Sequence, residues 1–137
     1  MMKCLTIKQP WAWLIFNDVG NGKGFKNVEN RTWHTKIRGT VAIHSSKKID
    51  IDAYNGLINY SHLNLPSLNE FICGEIIGVV DIVDSVNDYP SFWKEPNSVG
   101  FILQNPKKLN ETIPLKGQLG FFNLSDVHME QIIKQIE

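Results

Sequence analysis

The sequence predicts an α+β fold built on a small β-barrel with peripheral α-helices. Three observations carry that prediction. Short segments rich in β-branched and aromatic residues recur between clusters of Gly, Pro and Asn, as strands do. Helical patterning is confined to three stretches. Those stretches do not alternate regularly with the strands, which argues against a doubly wound parallel sheet. With 137 residues and 42% hydrophobic content, residues 1–137 suffice for one domain around one well-buried core.

Taken in order, Cys4–Ile7 alternates weakly and is the first expected strand. Pro10 presets a helical backbone angle, so Trp11–Phe16 is expected as a short helix. Its nearly continuous apolar run implies burial on more than one side, as a plug against the sheet. Asn17–Phe25, with Gly20, Gly22 and Gly24, is expected as a mobile loop. A helix precedes it and a strand follows, the reverse of a phosphate-binding P-loop. Lys26–Trp33 should be extended, and Thr40–Ser46 is the next strand, entered through Arg38-Gly39. Asp50 or Asp52 can cap a helix reaching Tyr60, with Ala53, Leu57 and Ile58 on its inner stripe. Ile72–Val86 carries the strongest strand signal and should be central and strongly curved, with Gly74 and Gly78 marking bulges or bends. Pro90 and Pro96 bracket a loop carrying Tyr89, Phe92 and Trp93, and the strand "SVGFIL" follows. Ile113–Leu115 and Leu119–Leu124 are expected as a final pair around Lys116-Gly117-Gln118. Ser125 caps a last helix whose apolar side is Val127, Ile132, Ile133 and Ile136.

Charge and composition exclude several function classes. Fourteen basic residues balance fourteen acidic ones, so a nucleic-acid partner must be held by a local patch and not by the field of the whole molecule. Cys4 and Cys73 are too few for a disulfide framework and form no C-x-x-C pair, which fits a reducing, cytoplasmic compartment. Their apolar strand surroundings should raise the thiol pKa and disfavour a nucleophilic role. His34, His44, His62 and His128 have no spacing that puts two metal ligands on one element, so no metal and no cofactor is expected. Nothing resembles a secretion signal, and no stretch approaches the roughly 18 apolar residues of a membrane span.

The segment "KNVENRTW" holds the chemistry. Residues two apart on a strand share a face, roughly 6 to 7 Å from one another, so Glu29, Arg31 and Trp33 should stand in a row. Lys26 can join that row only if the strand starts after it or carries a bulge. Such a row is either a solvated ladder of charges or the lining of a pocket. In a pocket, Arg31 supplies forked donors, Trp33 a stacking surface and Glu29 an acceptor or proton-transfer group. His44 ends an apolar strand and is either a hydrogen-bonded structural histidine or a polar contact in the site. Lys36, Arg38, Lys47 and Lys48 would make a docking rim for single-stranded nucleic acid if the fold gathers them near Trp33.

"LTIKQPWAWLI", "KNVENRTW", "RGTVAIHSS", "GEIIGVVDIVD" and "KGQLGFFNL" together resemble, in order and over nearly the whole chain, the ASCH domain family. At the centre of the likeness are Gln9-Pro10-Trp11 and Lys26-x-x-Glu29-x-Arg31. The resemblance implies a PUA-like barrel (the fold of pseudouridine synthase and archaeosine transglycosylase domains) and favours the pocket over the surface ladder. It further implies an RNA-associated module that holds RNA or a nucleobase in a cleft; some members accompany transcription coactivators.

A bacterial branch of the family hydrolyses the amide of N4-acetylcytidine with a lysine, a threonine and a glutamate. Lys26 matches that lysine, but Glu29 stands at the threonine position, so a nucleophilic threonine mechanism does not transfer. The leading expectation is therefore an RNA or modified-nucleoside binder. Lys26, Glu29 and Arg31 would form the floor, Trp33 would stack, Gln9, His44 and Ser45 would support, and Lys36, Arg38 and Lys47 would contact the backbone. One alternative is a hydrolase of RNA or N4-acetylcytidine in which Lys26 and Glu29 are catalytic. Another is a protein-interaction module docking through exposed Phe92 and Trp93.

Overall fold

The computed structural model describes residues 1–137. Six strands and three α-helices follow one another as β1 (Lys3–Gln9), α1 (Trp11–Phe16), β2 (Val28–Arg31), β3 (Gly39–Ile49), α2 (Ile51–Asn59), β4 (Glu75–Val86), β5 (Val99–Pro114), β6 (Phe121–Asn123) and α3 (Asp126–Ile136), with a 3₁₀ turn at Leu68–Glu70. All six strands belong to one mixed sheet in the order β2-β5-β4-β3-β1-β6. Only β1 and β3 run parallel; the other neighbours are antiparallel. No helix is long and apolar enough to cross a membrane.

Alternation along the strands explains why both faces of this sheet are buried. Leu5, Ile7, Val41, Ile43, Val80 and Ile82 pack on one face with Ala12, Ile15 and Phe16 of α1. Their immediate neighbours Cys4, Ala42 and Val79 point the other way and meet Ile132 of α3. A strand buried on both faces reads as a continuous apolar run, which is why "GVVDIV" and "TVAI" are such strong signals. The helix α1 is a plug, as expected. It is apolar all round because Leu14, with Trp13 beside it, faces a third cluster containing Val28, Leu57 and Trp93 while Ala12, Ile15 and Phe16 face the sheet.

The sheet is not closed into the barrel that the sequence led us to expect: no ladder joins β2 to β1 or β6. Side chains meet across that gap instead. Arg31 of β2 donates to the Thr6 carbonyl of β1 at 3.1 Å, and Phe101 of β5 stacks on Phe121 of β6 with ring centroids 6.0 Å apart.

Three strand assignments depart from expectation for physical reasons. Ile113–Leu115 is not half of a terminal hairpin. Ile113 is the penultimate residue of a 16-residue β5, opposite Ile76, and Phe121–Asn123 pairs with β1. The mostly polar run Gln104–Asn110 carries no strand pattern of its own but is extended by its ladder with β4, across two register shifts. Likewise β4 starts at Glu75, after Gly74 turns at φ +78°. The capping residues are as expected. Asp50 accepts from the Ala53 amide at 3.0 Å, and Ser125 from the His128 amide at 3.2 Å.

Candidate functional site

The strand β2 covers only Val28–Arg31, so Lys26 lies before it and Trp33 after it. That meets the condition for Lys26 to join the charged row and removes Trp33 from it. Lys26 is 3% exposed and Glu29 7%. Lys26 Nζ donates to Glu29 Oε1 at 3.0 Å and to the Val28 carbonyl, and sits 5.7 Å from the Trp11 ring centroid, within cation–π reach. Glu29 Oε2 accepts from Arg31 Nε at 2.8 Å. Arg31 then reaches the Thr6 carbonyl. One buried carboxylate thus bridges two cations, an arrangement that costs desolvation and is tolerable only because every partner is engaged. No buried side-chain polar atom lacks a hydrogen bond.

Two adjoining cavities open on this row. The first, of about 350 Å³, is walled by Trp11, Lys26, Glu29, Asp50, Trp93 and Glu95. The second, of about 380 Å³, adds Lys8, Arg31, Ser46 and Gln118 to shared walls of Trp11, Glu29, Asn30 and Asp50. Four shared residues make them chambers of one cleft, each within the roughly 300 to 1,000 Å³ typical of small-molecule sites.

The other candidate residues fall into two groups. Gln9, His44 and Ser45 are buried and spoken for. Gln9 accepts from the Trp13 amide at 2.8 Å and donates to the Ile72 carbonyl at 2.9 Å, so it anchors α1. His44 Nε2 lies 2.6 Å from the Leu115 carbonyl, which can only accept, leaving Nδ1 to accept from the Thr6 hydroxyl at 3.2 Å. Ser45 Oγ donates to the Glu75 carbonyl. Trp33, Lys36, Arg38 and Lys47 are exposed and line neither chamber. Trp33, 38% exposed, packs edge-on against Phe101 and Phe121 at 5.2 and 5.9 Å. Arg38 is bound to the Thr35 and Ile37 carbonyls. Lys47 and Lys48 lie where the β1–β3 ladder jumps from Ile7↔Ser45 to Gln9↔Ile49, beside Ser46 of the second chamber.

The tryptophan of the cleft is Trp11, expected from the sequence only as part of the apolar plug helix and of the motif Gln9-Pro10-Trp11. Its indole Nε1 points at Asp50 Oδ2, 3.5 Å away, so the residue that caps α2 also holds the ring. Asn30 was missed because it alternates with Glu29. It binds the 93–98 loop through the Trp93 carbonyl at 2.8 Å and the Glu95 amide at 3.0 Å. The pairing of Phe92 with Trp93 as exposed aromatics needs correction: Trp93 is 5% exposed, and Phe92 49%. The Trp93 indole donates to the Lys23 carbonyl at 3.0 Å, which ties the glycine-containing 17–25 segment to this loop.

No three His, Cys, Asp or Glu side chains converge as a metal site would require. Burial pushes the Cys4 thiol up to about 12, against smaller opposing effects of backbone hydrogen bonds from Leu5 and His44. Burial raises the Cys73 thiol as well. Neither is an activated nucleophile.

The chain is a small α+β domain with one six-stranded mixed sheet and a cleft floored by a buried Lys-Glu-Arg cluster. The ASCH domain model matches residues 5–127, and the chain belongs to the ASCH domain family. It is similar to activating signal cointegrator 1 of Homo sapiens and of Mus musculus. Each is 29% identical over 140 residues, an alignment covering 91% of this chain and 23% of the relative. The chain therefore spans less than a quarter of the length of these relatives.

Proposed function

We propose that this ASCH domain binds single-stranded RNA or a modified nucleoside in the cleft between β2, α1 and the 89–98 loop. The observation that supports this best is the buried Lys26-Glu29-Arg31 cluster at the junction of the two chambers. A carboxylate oxygen accepts two hydrogen bonds, so Glu29 keeps capacity to receive a base amino group while its cations hold it in place. Trp11 offers a ring for stacking, the usual partner of a splayed base. In this reading the open six-stranded sheet is an opened PUA-like barrel, and the gap bridged by Arg31 is where the ligand sits.

The test is fluorescence anisotropy of a labelled single-stranded RNA. Affinity should fall with salt at a log–log slope of about −1 to −3, as expected for two to four phosphate contacts. It should also fall about tenfold or more in Arg31→Ala, with circular dichroism confirming that the variant is folded. Salt-independent binding unaffected by Arg31→Ala would remove the proposal.

Contact between Lys26 and Glu29 at 3.0 Å on the cleft floor favours hydrolysis as a second reading, with Glu29 directing water and Lys26 polarising the substrate. Incubation with N4-acetylcytidine followed by chromatography for cytidine decides it. The name of the relatives supports a cointegrator-like role beside RNA binding, for which half-exposed Phe92 is the docking candidate.

A further inference from the structure

The two chambers differ once their common walls are set aside. To the shared Trp11, Glu29, Asn30 and Asp50, the first adds Lys26 and Glu95, whose charges cancel, together with the apolar Leu57, Phe92 and Trp93. The second adds Lys8 and Arg31, two cations, together with the polar Thr6, Ser46 and Gln118 and the aliphatic Ile7 and Leu119. One end of the cleft is aromatic with no added charge; the other is cationic and rich in hydroxyl and amide groups. Backbone geometry sharpens the second. The β1–β3 ladder is interrupted between Ile7 and Gln9, which frees Lys8 and Ser46 from regular pairing at the chamber wall. Bulges that re-aim side chains in this way are concentrated beside binding sites. Lys8 is exposed and makes no ion pair, unlike Lys26.

Resting on the cleft reading above, we infer that the site takes a nucleotide unit in one orientation. The base enters the Trp11–Trp93 chamber, and the phosphate lies in the second chamber against Lys8 and Arg31. Arg31 is already fixed by Glu29 through Nε and by the Thr6 carbonyl through one terminal nitrogen, so its remaining N–H groups are preorganised for a phosphate oxygen. Lys8 supplies a mobile charge on the other side. Asp50 and Glu29 border both chambers, but a phosphate in the first would face the additional carboxylate of Glu95, which the second lacks.

Isothermal titration with cytidine, adenosine, their 3′- and 5′-monophosphates and inorganic phosphate tests the orientation. At least one monophosphate isomer should bind about tenfold or more tightly than its nucleoside, and Lys8→Ala should close most of that gap. Equal affinity of nucleosides and all monophosphates overturns the inference. So does a Lys8→Ala variant that keeps the gap. Titration of a single-stranded oligonucleotide alongside separates the two levels. Oligonucleotide binding lost in Arg31→Ala but without a phosphate gap leaves the cleft standing and its orientation wrong, whereas no binding of oligonucleotide, nucleoside or nucleotide overturns both.

Discussion

Glu29 is the residue on which the cleft floor depends. It separates two cations and is itself almost fully buried, so removing its charge leaves Lys26 buried without a counter-ion. We predict that Glu29→Gln lowers stability by on the order of 3 kcal/mol, and that Lys26→Met combined with it restores part of the loss; urea midpoints of the wild type and the two variants decide this. Cys4 gives a second prediction at this scale. Its folded thiol titrates near 12, against an ordinary value of 9.0. The folded state therefore holds the proton more tightly, and stability is undiminished below pH 9 and declines as pH rises from 9 towards 12. In urea unfolding, wild type should lose stability relative to Cys4→Ala by about 1.4 kcal/mol per pH unit in that window; parallel curves would refute it. Of the cleft floor, spacing pointed to Glu29 and Arg31 as one row and admitted Lys26 only if the strand began after it, and the family resemblance favoured a pocket over a surface ladder. Trp11 and Asp50 were not legible as cleft residues, because an apolar helix residue and a helix cap look the same in sequence whether or not a cavity adjoins them.

At the scale of elements, α1 is held by close approach to the sheet. A Cβ on Gly78 of β4 would lie 2.5 Å from Phe16 Cε1 and 2.7 Å from the Lys107 carbonyl oxygen. Gly78→Ala should therefore destabilise by about 1 to 3 kcal/mol, read as a drop in thermal midpoint; an unchanged midpoint would mean that α1 does not pack there. The elements expected from periodicity and capping are present: β1, α1, β3, α2, β4 and α3. The second half of β5 was hidden because Gln104–Asn110 owes its extension to hydrogen bonding with β4, not to its own side chains. Trp33 was misplaced for a related reason. The row Glu29-x-Arg31-x-Trp33 assumed a strand that continues, but β2 ends at Arg31.

Across the whole molecule, formal charge sums to zero, so nothing but local arrangement can attract a polyanion. Closure of the sheet by side chains, not by a ladder, brings Arg31 of one edge to Thr6 near the other and leaves a two-chambered hollow beside the join. The proposed function and the fold thus meet at one place. The most direct measurement is a ¹⁵N–¹H spectrum of the labelled protein titrated with single-stranded RNA. Our account predicts shifts concentrated at the Trp11 indole, the Lys26–Arg31 amides and the 89–98 loop. Shifts confined to Trp33, His34, Lys36 and Arg38, with the Trp11 indole unmoved, would contradict it.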